Sequence, residues 1–255
     1  MSFALLRQHT TLPICIASEV PLGLGCEFEV RIIDPHFSYF DKVHYLGNTP
    51  FDETVYLDSD VSLFHCMDEV FDGLCGADLL ASHEASLGLG PLSKLANIPP
   101  SFPELSSGMI VYRKSDAFQK LMSCWVDEYR LLLKTHGIKE DQPSFRRALF
   151  LTNIKFSVLP PEYHYIPASF TRVVGEKVFS VHNHDFSRAR TIGLAFNTRA
   201  LGDYSGYVDG LGVFRNPWAM TFREVVAFTS QTARLLTFLL FRSAYIASKR
   251  LWKHR

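Results

Sequence analysis

The stretch FDETVYLDSDVSLF, residues 51–64, places two aspartates directly after an apolar run with high β-propensity. We expect residues 53–58 to form a strand with Asp58 at its carboxyl end, which is where open α/β sheets bind ligands. Because side chains alternate along a strand, Asp58 and Asp60 should lie on the same side of the chain. Paired carboxylates suit Mg²⁺ or Mn²⁺, which also bind substrate phosphates. In the simpler interpretation, Asp58 caps a turn and Asp60 is solvated.

The rest of the chain alternates between patterns of strands and patterns of helices. Short β-branched runs predict strands at residues 12–18, 28–34, 53–58, 78–84, 107–113, 154–160 and 177–182. Apolar residues at three- and four-residue steps predict helices at 65–74, from Ser115 to just before Gly137, and at 141–150. This alternation predicts an α/β domain with a largely parallel sheet. The Gly- and Pro-rich loop 85–107 is typical of a lid or a binding surface.

Composition excludes several classes of protein. The chain has 255 residues, 47% of them hydrophobic and 13% aromatic, which argues against disorder and allows one large domain or two small ones. The formal charge is zero, and most of the chain is acidic, so nucleic-acid binding is not expected. The five cysteines form no C-x-x-C pair, and the first residues lack a long apolar run. Both features predict reduced thiols and a cytoplasmic location.

The segment KVHYLGNTPFDETVYLDSDVSLF, residues 42–64, resembles the donor site of glycosyltransferases with the GT-A fold. The resemblance is closest to the glycogenin-like, retaining branch. It implies an α/β fold with a mixed sheet flanked by helices, and a divalent metal, usually Mn²⁺, bridging the diphosphate of a nucleotide sugar. Asp58, Ser59 and Asp60 match the D-x-D motif, and Lys42 lies at the spacing of a lysine that contacts the donor. By itself, Lys42 is also typical of a solvated surface lysine.

A second matching segment is FPELSSGMIVYR, residues 102–113, which resembles a strand whose small residues contact the donor sugar. Ser107 and Gly108 match those residues, and Ser106 stands where the family usually has Asn. Because Gly lacks a side chain, Gly108 admits a ligand close to the backbone. The alternative for Ser107 and Gly108 is a tight entry into the strand.

Two further segments follow in the family's order. EDQPSFRRAL, residues 140–149, resembles a helix start whose Asp and Gln bind sugar hydroxyls, which makes Asp141 and Gln142 the catalytic candidates. Asp141 is equally typical of a helix N-cap. KVFSVHNHDF, residues 177–186, resembles the strand whose His completes the metal site, and His182 matches that position. His184 is the near alternative, and His182 could instead be structural.

The resemblance also predicts how the chain is divided. Residues 1–220 are predicted to form the glycosyltransferase-like domain. The family's first strand, which holds the base and ribose, is expected to be absent, because MSFALLRQHTTLP resembles the helix that follows it. A pocket without that strand would be incomplete, which favours a non-catalytic domain.

Residues 221–255 form a separate basic segment, with seven Lys or Arg and one Glu. Its longest uncharged stretch has nine residues, whereas a span of the bilayer needs about 20. On a helix, several basic residues would share about a third of the circumference: Arg223, Arg234, Arg242, Lys249 and Lys253. The segment is therefore predicted to be an amphipathic helix that docks on an anionic membrane surface. The alternative is a helix packed on the domain with its basic edge in solvent.

These features predict a metal-dependent hexosyltransferase that uses a nucleotide sugar, expected to be UDP-linked, and an acceptor hydroxyl on a glycan, lipid or protein. Its cofactor would be Mn²⁺ or Mg²⁺. The alternative is a non-catalytic glycosyltransferase-like domain that binds a nucleotide sugar or a partner. A metal-dependent phosphohydrolase would fit the Asp and His residues, but not the segments around Ser107 and Asp141. Glu84 is a candidate on the acceptor side, or a loop-capping acid.

Overall fold

The computed structural model describes residues 6–23, 28–84, 98–167, 172–173, 177–197, 205–208 and 212–214. The strands are β1 (Ile14–Ser18), β2 (Phe28–Ile32), β3 (Glu53–Leu57), β4 (Val61–Leu63), β5 (Leu79–His83), β6 (Leu105–Arg113), β7 (Phe156–Leu159), β8 (Arg172–Val173), β9 (Ser180–His182), β10 (Ser205–Val208) and β11 (Gly212–Phe214). The α-helices are α1 (Phe40–Tyr45), α2 (Asp116–His136), α3 (Gln142–Thr152) and α4 (Phe186–Asn197), with 3₁₀ segments at Leu46–Asn48 and Asp68–Leu74.

The main sheet has the order β3–β6–β5–β7. Strand β6 is antiparallel to both β3 and β5, whereas β5 and β7 are parallel. The prediction of a largely parallel sheet is therefore wrong, because two of the three strand pairs in the main sheet are antiparallel. Strand β6 runs in the opposite direction between β3 and β5. The mixed α/β sheet flanked by helices is confirmed.

Strand β6 is the centre of the core, and its residues 105–112 are all buried. Because strand side chains alternate, its two faces enter two different clusters. One cluster joins the sheet to helices α2 and α3, and includes Ile110, Tyr112, Phe118, Trp125 and Phe145. The other joins it to the second 3₁₀ segment, and includes Met109, Val111, Val70, Leu74 and Leu159. A strand covered on both faces gives its ends little freedom to move.

Helix α2 begins and ends as its sequence predicts. The Ser115 side chain accepts a hydrogen bond from the Phe118 amide, and Gly137 ends the helix in the left-handed conformation at φ 67°. The predicted helix at 65–74 is wrong in type, because only Asp68–Leu74 is helical and it is a 3₁₀ segment. Its Val70 and Leu74 are nevertheless buried.

Smaller sheets surround the main one. Strands β1 and β2 pair in parallel, β4 and β9 pair antiparallel, and β10 lies between β8 and β11. Among the helices of the described segments, none has the length and apolarity needed to cross a bilayer. The loop residues 85–97 and the basic segment 221–255 lie outside the described residues. The division of the chain at residue 220 stays a prediction.

Ser115→Ala should destabilise the fold by about 1 kcal/mol, because it removes the cap that pairs with the first turn of α2. Urea unfolding followed by circular dichroism measures the change. Ser123→Ala is the matched control, since Ser123 is exposed in the same helix and its hydroxyl donates only to the Gln119 carbonyl. Equal unfolding midpoints for the two variants would contradict the capping role.

Candidate metal-binding site

A buried lysine joins three of the predicted site residues. Lys42 Nζ, on α1, lies 3.1 Å from Asp58 Oδ2 and 2.9 Å from Asp141 Oδ2. It also donates to the Ser107 hydroxyl and carbonyl, at 3.2 and 3.3 Å. The Lys42 side chain is only 8% exposed, so the interpretation as a solvated surface lysine is wrong. One cation thus connects α1, the end of β3, β6 and the start of α3.

The charge of this lysine is maintained by its two carboxylates. Burial by itself lowers the pKa of Lys42, but the negative charges and hydrogen bonds of Asp141 and Asp58 outweigh it, so the pKa is raised. Lys42 is therefore charged throughout the physiological range. A buried charge is tolerated only when it is paired, and here both partners lie within hydrogen-bond distance.

Asp58 is held in place from both its backbone and its side chain. Its amide donates to the Gly108 carbonyl at 2.9 Å, and its Oδ1 accepts from the Tyr56 hydroxyl at 2.6 Å. Burial and the negative charge of Asp58 raise the pKa of Tyr56 well above its usual value, so Tyr56 stays a donor. A carboxylate offers about four lone-pair sites. After Tyr56 and Lys42 have used two, Asp58 keeps two for a cation.

The start of α3 is tied to the start of β6. The Ser107 hydroxyl donates to Asp141 Oδ2 at 2.8 Å, and Gln142 Oε1 accepts from the Ser107 amide at 3.0 Å. The Gln142 side-chain amide also donates to the Leu105 carbonyl. Asp141 does not cap α3 through its side chain, so that alternative is wrong. Asp141 and Gln142 are each 4% exposed and hold the strand end that carries Ser107.

A second cluster forms around Asp60, just after β3. Asp60 Oδ1 lies 3.1 Å from His182 Nε2, and Asp60 Oδ2 lies 2.6 Å from His184 Nδ1. Burial by itself raises the pKa of Asp60, but the hydrogen bond and charge of His182 outweigh it and lower the pKa to about 2. Burial likewise lowers the pKa of His182, and its contacts with Asp60 reverse this, so that its pKa is raised. His184 is 92% exposed, unlike His182.

Strand pairing brings these residues together. Strands β4 and β9 pair with Val61 opposite His182, which places His182 beside Asp60. The Asn183 amide also donates to the Asp60 carbonyl at 3.2 Å. Asp60 and His182 are 122 positions apart in the sequence and meet only because of this register.

The donor atoms fit a divalent cation. Asp58, Asp60 and His182 each offer a ligand atom, and these atoms all lie within 4.8 Å of one another. Two carboxylates and one imidazole form a donor set that suits Mn²⁺ or another divalent ion. Among the described residues, this is the one group of His, Cys, Asp and Glu with such spacing. The exposed Ser59 lies between the two aspartates in the sequence.

His164 belongs to the cluster and was not predicted from the sequence. Its Nε2 lies 3.2 Å from His182 Nδ1 and 3.3 Å from the Ser106 hydroxyl. Burial, then the positive charges of His182 and Lys42, hold the pKa of His164 well below its usual value, so its ring is neutral. Its Nδ1 is buried and has no hydrogen-bond partner among the described residues, and a buried unpaired group costs about 1–3 kcal/mol. No pattern around His164 signals this contact.

Tyr56 was also not predicted, although its position carries a signal. Tyr56 and Asp58 are two residues apart, so they share one side of the strand. Glu84 follows β5, where its amide donates to the Glu104 carbonyl at 2.9 Å. The acceptor-side role of Glu84 stays a prediction.

Gly108 is where the two histidines approach the sheet. A Cβ at this position would lie 2.7 Å from His182 Nδ1 and Cε1, and 3.0 Å from His164 Nε2. The missing side chain is therefore required by the histidine rings that pack there. This requirement differs from the predicted one, in which Gly108 admits a ligand.

Comparison with known proteins gives matches only among solved structures. No family model and no curated protein matches the chain. The structures include mouse xyloside xylosyltransferase 1 in its apo form, with 16% identity over 57% of this chain and 62% of that one (TM-score 0.41). They also include the galactosyltransferase LgtC in complex with donor and acceptor sugar analogues, with 14% identity over 66% and 70% of the two chains (TM-score 0.44). A third is the glycosyltransferase GlyE of Streptococcus pneumoniae TIGR4, with 16% identity over 55% and 34% (TM-score 0.39).

These structures are glycosyltransferases, the class that the sequence motifs predicted, and they do not single out the glycogenin-like branch. The chain spans less than two thirds of the xylosyltransferase and about a third of GlyE.

Lys42→Met should destabilise the fold by about 3–5 kcal/mol, because it leaves the buried Asp141 and the partly buried Asp58 without their shared cation. Chemical denaturation at neutral pH measures the loss. Lys120→Met is the matched control, since the same substitution at this exposed residue of α2 should change stability by less than about 0.5 kcal/mol. A small effect at Lys42 would mean that the two carboxylates find other partners.

Gly108→Ala should weaken Mn²⁺ binding, because the added Cβ would displace the His182 ring. We expect at least a tenfold loss of affinity, on the order of what mispositioned metal ligands cost. Calorimetric titration with Mn²⁺ checks this. Gly47→Ala is the control, since a Cβ there would meet Met122 at an ordinary 3.4 Å. Unchanged Mn²⁺ affinity in Gly108→Ala would show that His182 does not need its present position.

Proposed function

We propose that the chain is a metal-dependent glycosyltransferase that moves a hexose from a UDP-linked sugar to an acceptor hydroxyl. The observation that supports this best is the convergence of Asp58, Asp60 and His182 beside the buried Lys42. A divalent cation and a lysine ammonium side by side suit the two phosphates of a nucleotide diphosphate.

In the proposed reaction the bond between the sugar carbon and the diphosphate oxygen breaks, and a bond between that carbon and the acceptor oxygen forms. The products are the nucleoside diphosphate, the glycosylated acceptor and the proton released from the acceptor hydroxyl. When bound, the divalent ion would supply a Lewis acid for the developing negative charge. Asp58, Asp60 and His182 would hold the ion, because the first carboxylate keeps free lone pairs and the other two residues already meet at hydrogen-bond distance. Lys42 would supply a fixed positive charge next to the phosphates, in a site where burial strengthens its effect.

Residues Ser107, Gly108, Asp141 and Gln142 are proposed to form the sugar side of the site. Asp141 and Gln142 have groups that pair with sugar hydroxyls. Their contacts with Ser107 and with Lys42 also set the position of the strand end beside the metal ligands. We therefore propose that Asp141 and Gln142 bind the sugar hydroxyls and also fix the position of Ser107. Ser59 and Ser106 are proposed to line the same edge of the sheet.

The acceptor is proposed to be a hydroxyl of a glycan, a lipid or a protein. The basic segment 221–255 would place the enzyme on the surface of an anionic membrane, where a lipid or surface glycan acceptor is found. The proposed location is therefore cytoplasmic, and peripheral on a membrane through this segment. Each Lys or Arg near such a surface contributes about 1 kcal/mol to binding.

The test of this function is binding and turnover of nucleotide sugars. Calorimetry with Mn²⁺ and UDP should show binding that Asp60→Asn weakens at least a hundredfold. Mutation of residues that only hydrogen-bond to metal ligands already lowers metal affinity about 10- to 100-fold, and Asp60 is proposed to be a ligand itself. Asp127→Asn, on the exposed face of α2, is the matched control and should bind normally. When a panel of nucleotide sugars is screened, the enzyme should release UDP from one of the donors, and this release should require Mn²⁺.

The outcomes separate the proposed enzyme from its alternatives. Binding of Mn²⁺ and UDP without turnover of any donor would favour a non-catalytic nucleotide-sugar domain. Equal binding by wild type and Asp60→Asn would reject the metal site. Mn²⁺-dependent release of phosphate from simple phosphomonoesters would favour a phosphohydrolase.

A further inference from the structure

A buried pair of histidines lies behind the carboxylates. His182 faces Asp60 with Nε2, at 3.1 Å, and faces His164 with Nδ1, at 3.2 Å. The ring of His182 is thus held at both nitrogens, by a carboxylate on one side and an imidazole on the other. His164 is 2% exposed, so water does not easily take its place beside His182 Nδ1.

The number of hydrogens on the two rings determines which nitrogen of His164 and His182 donates and which accepts. The 3.2 Å separation between His182 Nδ1 and His164 Nε2 has room for one hydrogen. For His182 Nε2 to offer a lone pair to a cation, a neutral His182 must carry its hydrogen on Nδ1. His164 Nε2 must then be the acceptor, and the hydrogen of the neutral His164 ring must lie on Nδ1.

The backbone holds the two rings in this arrangement. The amide of Tyr165 donates to the Ser180 carbonyl at 3.0 Å, and the amide of His182 donates to the Tyr165 carbonyl at 2.9 Å. These bonds attach the segment after His164 to β9. Since β9 pairs with β4 on its other side, His164, His182 and Asp60 are aligned by one set of backbone contacts.

Two features of β6 support the same arrangement. The Ser106 hydroxyl lies 3.3 Å from His164 Nε2 and accepts from the Gly108 amide, also at 3.3 Å. Gly108 leaves the space that both rings occupy. An apolar residue at position 164 would fill a buried site without the unpaired Nδ1, so packing alone does not account for a histidine there.

We propose that His164 is a positioning residue, whose Nε2 accepts the Nδ1 hydrogen of His182 and thereby keeps His182 Nε2 facing Asp58 and Asp60, where its lone pair is available when a cation is bound between the carboxylates. This inference rests on the proposed function, because it gives His164 its role through the metal ligand His182. Residues that hydrogen-bond to a ligating histidine orient its ring and fix its tautomer.

The test compares two substitutions of equal length at position 164. His164→Gln keeps an acceptor oxygen within reach of His182 Nδ1, whereas His164→Met places a methyl group there. Mn²⁺ alone, titrated into the full chain and followed by electron paramagnetic resonance, is the probe. We expect His164→Met to lose at least tenfold in Mn²⁺ affinity and His164→Gln to stay within about threefold of wild type. Thermal melting of both variants is recorded alongside.

Each result has one meaning. If wild type binds Mn²⁺ and the two variants bind it equally, whether as tightly as wild type or more weakly, the positioning role is wrong and the metal site stands. If wild type does not bind Mn²⁺, the proposed metal site fails and His164 loses its role with it. Recovery of affinity in His164→Gln, but not in His164→Met, is not expected from a purely structural role.

A second measurement does not depend on any variant. Nitrogen-15 spectra of histidine-labelled wild type, loaded with the diamagnetic ion Zn²⁺, report which ring nitrogens carry hydrogen. We expect His182 to be protonated at Nδ1 and His164 to be unprotonated at Nε2. A His164 that carries its hydrogen on Nε2 in the loaded protein would overturn the inference.

Discussion

The ammonium group of Lys42 connects the parts of this structure that carry the site. It lies within hydrogen-bond distance of Asp58 after β3, Asp141 before α3 and Ser107 in β6. Each carboxylate would be costly to bury alone, and the lysine would be costly to bury without them. The positions of helix α1, the end of strand β3 and the start of helix α3 therefore depend on one another. The same three charged groups carry one positive and two negative charges, so together they favour a cation beside Asp58.

The second part of the site depends on strand register. A shift of one residue in β4 or β9 would turn the His182 side chain to the other face, because strand side chains alternate. The pairing of Val61 with His182 therefore decides whether His182 can reach Asp60. His164 is held on the far side of β9 by backbone hydrogen bonds and lies behind the His182 ring. The absence of a side chain at Gly108 leaves room for both rings.

These two parts meet at Asp58 and Asp60, which belong to different networks although only one residue separates them. Asp58 is bound to Lys42 and Tyr56, and Asp60 to His182 and His184. A cation between the two carboxylates would join the network of the Lys42 ammonium to the network of the two imidazoles.

Local patterns in the sequence determined the capped helix α2, the strand that ends just before Asp58 and the pair of carboxylates that follows it. Such features depend on neighbours a few residues away, so propensity and spacing are enough to predict them. The segments around Ser107, Asp141 and His182 were identified by their resemblance to a known family. Tertiary structure alone decided the reversed direction of β6, the burial of Lys42, and the meeting of His164 with His182. These depend on contacts between residues that are distant in the sequence, whose register no local pattern encodes. His164 shows the difference best, because its role comes entirely from the ring that β9 places against it.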